Sequence, residues 1–305
     1  MLKKMMIKSP EMTSHLYNSL QALIESTSSE LPIDVALAMD LAKKNEQEKS
    51  SAEYALKIIE ENRVLAKKYI APLCQDTGTI SFYINHPKHF DRTNFEQIAI
   101  EAVMKATEKG VLRQNSVDSL SGLNSGNNIG LGHPGFYFEE NQSDLLEIRL
   151  MLKGGGCENV GAQYSLPEIS LEADRDLAGV KKVILHAVKS AQGRGCSPGI
   201  LGVCIGGDRA TGYAFSKKQL LRFLNDENPI EPLKKLEEEI LVDANQLGIG
   251  AMGFGGKTTL LGVKIAALHR LPASYFVSVS YMCWAHRRQG MVLDSDMKIK
   301  KWIYK

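Results

Sequence analysis

The sequence predicts a mixed α/β protein in which an N-terminal helical segment packs on an α/β domain with glycine-rich loops. Three observations predict this class. Apolar residues recur at the helical period through residues 10–70, short β-rich runs such as residues 80–84 and 200–205 follow, and helical runs alternate with them. Such alternation is typical of a mixed topology, although it does not give the strand order.

Three helices are expected in the first seventy residues. The first begins at Pro10 and is expected to break at the serine-rich residues 26–29, a second reopens at residues 31–32, and a third covers residues 52–69. These helices are interpreted as structural. We therefore divide the chain into a helical N-terminal segment (1–70), a region expected to carry the function (71–295) and a C-terminal tail (296–305), with the function-bearing region forming one continuous domain.

The remaining elements follow from local patterns. Residues 80–84 and 200–205 are joined by further predicted strands at residues 136–138, 145–152 and 274–282. Helices are expected at residues 95–110, 180–191, 216–224 and 233–247. Two glycine-rich turns are expected, at residues 154–156 and 248–259.

Composition excludes several classes of protein. The chain has 305 residues, is 44% hydrophobic and can bury a large core. Its formal net charge is only +2, which argues against nucleic-acid binding. It contains no apolar run of about 18 residues, so no membrane span is expected. Residues 1–8 make a poor signal peptide, because Lys8, Ser9 and Pro10 interrupt the apolar run. The expected location is cytoplasmic.

The number of cysteines also indicates a cytoplasmic location. Five cysteines are present, an odd number in a chain without an export signal, so a disulfide framework is not expected. Cys204 lies in an apolar strand-like run and is expected to be an inert core thiol. Cys157 follows three glycines, and its role is ambiguous.

Residues 74–79 form a short stretch that is rich in polar and potentially reactive side chains. They place a thiol, an amide, a carboxylate and two hydroxyls within six positions, and a core segment has no use for so many polar groups. Read alone, the stretch fits a cap and turn after a helix equally well. Two other cysteines lie in similar settings. Cys196 is surrounded by glycine and Pro198, and Cys283 is followed by the sequence Trp-Ala-His-Arg-Arg.

Three thiols on three separate loops suit an iron–sulfur cluster that leaves one iron open. The absence of a Cys-x-x-Cys pair disfavours a ferredoxin-type carrier and a structural zinc site. The alternative is a cluster-free scaffold in which Cys74, Cys196 and Cys283 are simply buried thiols.

Two further features are candidate anion-binding groups. Arg113 follows a predicted helix end and is either a surface charge or a carboxylate clamp, because its planar fork matches a carboxylate. Residues 154–156 are three glycines after a predicted strand, so they form either a flexible connector or a turn whose amides face an anion. The turn is not a P-loop, because Lys153 precedes the glycines.

The ordered set of motifs resembles one family. Residues 74–79, 153–159, 195–199, 206–207, 247–259 and 283–288 are similar to the α subunit, or N-terminal half, of iron–sulfur hydro-lyases. This family comprises class I fumarases and L-tartrate dehydratases, and the resemblance covers residues 15–295. It implies a [4Fe–4S] cluster bound by Cys74, Cys196 and Cys283, with its fourth iron free for substrate.

The resemblance also implies roles for individual residues. Asp76 would take part in proton transfer, while Gln75, Arg113 and the glycine turn (Gly155 and Gly156) would face a small dicarboxylate. The family often carries a histidine where this chain has Leu271, with His269 two residues away, so a substrate contact from His269 is not assigned.

The resemblance further implies a partner. The family's second half, which supplies other substrate contacts, does not follow residue 283 here, so a separate β subunit in an α2β2 assembly is expected. Fumarate hydration to (S)-malate is the leading function. Two alternatives stay open: dehydration of L-tartrate to oxaloacetate, and a non-catalytic iron–sulfur redox sensor.

Overall fold

A computed structural model describes residues 9–143 and 145–305. It confirms the mixed α/β class, with two mixed sheets. Residues 1–8, predicted to be a poor signal peptide, lie outside the described residues. None of the helices in the described part of the chain combines the length and apolar character that a membrane span requires.

The structure gives the bounds of each element. The helices are α1 (Pro10–Ser29), α2 (Ile33–Asn45), α3 (Ser51–Tyr69), α4 (Arg92–Glu108), α5 (Gly155–Asn159), α6 (Leu177–Ala191), α7 (Arg209–Gln219) and α8 (Glu231–Gln246). The strands are β1 (Thr79–His86), β2 (Gly135–Glu140), β3 (Leu146–Lys153), β4 (Ala162–Ser165), β5 (Gly199–Ile205), β6 (Leu260–Ala267), β7 (Phe276–Met282), β8 (Arg287–Leu293) and β9 (Ile299–Trp302).

The chain divides into two compact units. The first unit comprises Met1–Ile33, Glu61–Gly154 and Arg287–Lys305, and the second comprises Asp34–Glu60 and Gly155–His286. Each unit contains one of the sheets, and each is assembled from separate stretches of the chain.

The first unit is built on a five-stranded sheet in the order β2-β1-β3-β8-β9. β1 pairs with β2 in parallel, while the other neighbours are antiparallel. Its core includes Phe82, Leu150 and Met291 from the strands, together with Leu20 of α1 and Phe95 of α4. Burial of these apolar side chains drives the packing of both helices on the sheet.

The second unit is built on a four-stranded sheet in the order β4-β7-β5-β6. β5 lies between a parallel neighbour, β6, and an antiparallel one, β7. Every residue of β5 is buried, which explains why it is a continuous apolar run without alternation. Helix α7 packs on β5, α8 on β6 and α6 on β7.

Two helix predictions are wrong at their boundaries. Residues 26–29 do not break α1, because their hydroxyls find acceptors while the helix continues: Thr27 donates to Leu23 O, and Ser29 donates to Glu25 O. The helix predicted at residues 216–224 instead covers Arg209–Gln219. The Asp208 carboxylate caps its N-terminus by accepting from the backbone N–H groups of Ala210 and Thr211.

Four strands escape the sequence-based prediction: β4, β6, β8 and β9. β4 and β9 have four residues each and too short a pattern to detect. In β6 and β8, polar or glycine residues occupy buried positions, Lys264 in the former and Arg287, Arg288 and Gln289 in the latter. Those positions erase the apolar pattern by which a strand is recognised.

Candidate functional site

The loop that follows α3 is fixed by hydrogen bonds to a second loop in the first unit. The backbone N–H of Arg113 donates to the Thr77 hydroxyl at 3.1 Å. Because backbone N–H groups only donate, Asn115 turns its amide oxygen toward the loop, accepting from Gly78 N at 2.8 Å and from Thr77 N at 3.0 Å. These bonds hold residues 74–78 beside residues 113–115.

Gly78 is required by this arrangement. Its φ is +78°, and a Cβ there would lie 2.2 Å from the carbonyl oxygen of Lys153. Both the left-handed backbone and the contact with β3 exclude a larger residue. The loop is therefore pressed against the end of β3, from which Gly154 continues.

Two residues predicted to bind substrate line one cavity of the first unit. Gln75 and Arg113 border a cavity of about 510 Å³, together with Leu112, Gln114 and other residues of the loop after α4. Both side chains are exposed. The guanidinium of Arg113 forms no ion pair within residues 9–143 and 145–305, so it is available to a ligand anion.

Asp76 lies between this cavity wall and the end of β3. Its side chain is half-buried. A Cβ on Gly154 would lie 2.9 Å from Asp76 Oδ2 and 3.6 Å from Arg287 Nη2. Because Gly154 has no side chain, the carboxyl of Asp76 can occupy this position.

The loop that carries Cys196 is held in the second unit by backbone hydrogen bonds. Cys196 has a left-handed backbone, with φ +52°, and its carbonyl oxygen accepts from Trp284 N at 3.2 Å. The next residue, Ser197, donates its hydroxyl to Gly250 O at 2.6 Å and accepts from Met252 N at 2.8 Å. Three segments, around residues 196, 251 and 284, are thus joined.

Tyr281 packs against this loop where glycines leave room. A Cβ on Gly195 would lie 2.4 Å from the Tyr281 ring, and one on Gly199 would lie 2.3 Å from it. Burial raises the pKa of the Tyr281 hydroxyl above its usual range. Three thiols near the ring act on this pKa in the same direction: Cys283, Cys157 and Cys196. The ring of Tyr281, two residues before Cys283, therefore packs against the glycines on either side of Cys196.

The structure separates the cysteines by their surroundings. Cys204 is fully buried in β5, and burial raises the pKa of its thiol to about 12, so the prediction of an inert core thiol is confirmed. Cys157 and Cys283 are buried at 3% and 7% exposure, while Cys74 and Cys196 are partly exposed. None of the five cysteines, all of which lie in the described part of the chain, forms a disulfide. Among the described residues, no three His, Cys, Asp or Glu side chains form a group that could hold a metal ion.

The other predicted contacts lie in the second unit. Gly155 and Gly156 are exposed and begin the five-residue helix α5, where the sequence predicted a turn. His269 lies after β6 with an exposed side chain, and its carbonyl oxygen accepts from Gly207 N at 3.3 Å.

Sequence reasoning missed three residues of these sites. Asn115 and Tyr281 organise the loops that carry Asp76 and Cys196, and Arg287 lies beside Gly154. The only available signal was indirect, since Asn115 stands two residues after Arg113 and Arg287 stands four residues after Cys283. A sequence does not reveal which polar neighbour turns inward.

The fold and the loops define a mixed α/β protein with thiol-bearing loops. The amide of Gln75, the carboxyl of Asp76 and the guanidinium of Arg113 lie on adjoining loops, and this set of groups is suited to small carboxylates. The family model described as fumarate hydratase (fumerase) matches residues 17–292. The chain belongs to this family.

Curated relatives agree with the family. A Geobacillus stearothermophilus protein named class I fumarate hydratase is 51% identical over 294 residues, which cover 95% of this chain and 57% of that protein. A Methanocaldococcus jannaschii protein named as an L(+)-tartrate dehydratase subunit alpha is 36% identical over 277 residues, 88% of this chain and 94% of the relative. The Escherichia coli K12 protein named L(+)-tartrate dehydratase subunit alpha is 32% identical over 229 residues, 74% of each chain.

Enzymes of this family generally depend on an iron–sulfur group. The donor chemistry of the chain fits such a group, because thiolates are the usual ligands of iron–sulfur clusters and neither Cys196 nor Cys283 forms a disulfide. The hydrogen bond between Cys196 O and Trp284 N holds the backbones that carry these two thiols side by side.

Proposed function

We propose that this chain is the α subunit of an iron–sulfur-dependent hydro-lyase that interconverts fumarate and (S)-malate. The observation that carries the proposal is the first unit's arrangement of Gln75, Asp76 and Arg113 on two loops joined by hydrogen bonds. An exposed guanidinium and an amide beside a carboxyl are the groups that hold a carboxylate and move a proton next to it. The names of the relatives support the same reaction class.

The proposed cofactor is a [4Fe–4S] cluster bound by Cys74, Cys196 and Cys283, as the resemblance implies. When bound, such a cluster supplies a Lewis acid at its open iron. Cys204 is excluded as a ligand by its burial in β5. Cys157 is not proposed as a ligand, because the motif of the family places the three ligands elsewhere.

Each remaining residue has a proposed role in hydration. Arg113 and Gln75 bind a carboxylate of the substrate in the 510 Å³ cavity, and the backbone amides at Gly155 and Gly156 are proposed to help hold the anion. Asp76 transfers the proton to or from carbon. Asn115 holds the backbone of the loop that carries Asp76, and the absence of a side chain at Gly154 leaves room for the Asp76 carboxyl.

Fumarate is preferred to L-tartrate because the relative named class I fumarate hydratase is 51% identical, against 36% and 32% for the tartrate dehydratase subunits. L-Tartrate dehydration to oxaloacetate is the second candidate. The two substrates differ at hydroxyl groups, so a few polar contacts decide between them. The redox sensor differs from both, since it would bind iron without turnover.

The substrate assay tests this proposal. We expect the chain, co-expressed anaerobically with its partner subunit, to give a higher kcat/KM for fumarate hydration than for L-tartrate dehydration. A higher value for L-tartrate would establish the second candidate. Bound iron without turnover of either substrate would favour the sensor.

We also propose a separate β subunit, an α2β2 assembly and a cytoplasmic location. The chain spans 57% of the Geobacillus relative, so that protein carries a further region of comparable size, and other relatives are named as α subunits. The surface of the second unit that best suits this partner is a groove of about 800 Å³, lined by Tyr54, Ile58, Met252, Phe254 and Trp284.

The groove suits the β subunit for two reasons. Tyr54 is 67% exposed and Phe254 is 64% exposed, and large apolar side chains left in water at one groove are typical of an interface. Trp284 follows the proposed ligand Cys283, and Met252 bonds to Ser197, so a partner seated there would lie beside both cysteine loops. That position is where a completing subunit is needed.

Replacing Tyr54 by glutamate is expected to weaken the β subunit's co-purification with this chain by at least about tenfold in Kd, because a charge would be buried in an apolar contact. Val242→Glu is the matched control, since Val242 is 55% exposed on α8 outside the groove and should leave the complex intact. Equal affinity of the Tyr54→Glu variant and the wild type would refute the docking site.

A further inference from the structure

Arg287 occupies an unusual place in the sheet of the first unit. It is the first residue of β8 and pairs with Leu152 of β3, which in turn pairs with Ile80 of β1. Residues paired across strands share a face of the sheet, so Arg287 ends a row whose other members are core residues. Its side chain is only 1% exposed.

The charge of this arginine is poorly satisfied by the protein. Its Nε and Nη1 atoms are buried and have no hydrogen-bond acceptor within the described residues. The neighbouring Arg288 points to the opposite face, where its guanidinium lies 4.3 Å from the centroid of the Tyr304 ring. A buried cation with two nitrogens that lack acceptors is costly, so its presence indicates a use for the charge.

The third nitrogen of Arg287 faces the candidate site. Nη2 lies 3.6 Å from the point that a Cβ on Gly154 would occupy, and Asp76 Oδ2 lies 2.9 Å from the same point. The guanidinium and the carboxyl thus both lie close to the backbone of Gly154 at the end of β3, where a side chain would clash with Asp76. Gln75, the residue before Asp76, lines the cavity that contains Arg113.

We propose that Arg287 is a positioning residue that supplies the fixed positive charge for one carboxylate of a small dicarboxylate, held beside Asp76 at Gly154, while Arg113 binds the other carboxylate. Because the guanidinium is sealed from water, its charge is weakly screened and acts on a bound anion through the thin layer formed by Gly154. This inference rests on the proposed function.

The test compares two adjacent arginines of β8. In the assembled, anaerobically reconstituted enzyme, Arg287→Met should keep its fold and its iron, because removal of an unsatisfied buried charge is not expected to destabilise the protein. Its KM for fumarate should rise by about 10- to 100-fold, with a smaller change in kcat, as is usual for hydrogen bonds or ion contacts to charged groups. Arg287→Lys, which retains the charge, should give an intermediate KM.

A thermal-shift measurement separates this inference from the proposed function. Succinate, an unreactive dicarboxylate, should raise the Tm of the wild type relative to sodium chloride at the same ionic strength, and this shift should vanish in Arg287→Met. Arg288→Met is the control, and it should lower the Tm through loss of the Tyr304 contact while keeping the succinate shift.

The outcomes are distinct. If Arg287→Met keeps both the wild-type KM and the wild-type succinate shift, or if the wild type shows no shift, Arg287 has no role in anion binding and the inference is wrong. If the wild type shows the shift and Arg287→Met loses it, but fumarate is not turned over, the inference stands and the proposed function fails.

Discussion

Replacing Cys196 by alanine is expected to abolish iron binding and, with it, the hydration of fumarate. Three thiolates are the fewest that hold a [4Fe–4S] cluster with one open iron, so loss of one leaves the cluster without a stable site. The Cys196 loop itself should persist, because its hydrogen bonds run through Ser197 and through the carbonyl oxygen of residue 196. Iron and acid-labile sulfide, assayed after anaerobic reconstitution, should fall to background.

Cys204→Ala is the matched control. Cys204 lies in the same unit, has a fully buried thiol with a pKa raised to about 12, and should bind no iron. Its truncation should cost about 1 kcal/mol of unfolding free energy, the usual effect of removing a small buried group. Full iron content in Cys196→Ala, or loss of iron in Cys204→Ala, would overturn the ligand assignment.

Replacing Asp76 by asparagine is expected to lower kcat for fumarate by about 10²- to 10⁴-fold, the usual contribution of a positioned general acid or base. The two side chains have nearly the same shape, so the fit against Gly154 should persist. Iron content and the Tm should therefore remain close to wild type. Initial rates at saturating fumarate measure the effect.

Asp91→Asn provides the control for this change. Asp91 caps α4 by accepting from Asn94 N at 3.1 Å, and asparagine is an equally good cap, so both stability and activity should be retained. An Asp76→Asn enzyme within threefold of wild-type kcat would show that another group moves the proton, since general acid–base catalysis contributes about 10²-fold or more.

Local chemistry made much of the fold predictable. Helices α3, α6 and α8 carry a clear apolar period, and β5 is an uninterrupted apolar run. Prediction failed where tertiary contacts replaced local signals. The serines at the end of α1 are buried, and the Ser28 hydroxyl donates to Val111 O, a partner 83 residues away. Such long-range partners cannot be read from a local pattern.

The candidate site was likewise predictable only in part from the sequence. Gln75, Asp76 and Arg113 were identifiable from residue type and motif, and the structure places Gln75 and Arg113 on one cavity. Arg287 was not identifiable, because residues 283–288 suggested a loop while Arg287 in fact begins a strand. Its importance depends on burial and on the missing side chain at Gly154, neither of which the sequence displays.

The most direct test of the proposed fumarate hydration is to supply fumarate to the anaerobically assembled enzyme in heavy water and to analyse the product by NMR. Hydration predicts (S)-malate with one deuterium at the carbon that receives the proton. The Cys196→Ala enzyme should form no malate. Fumarate left unchanged by an enzyme with its full complement of iron and its partner subunit would contradict the proposal that fumarate is the substrate.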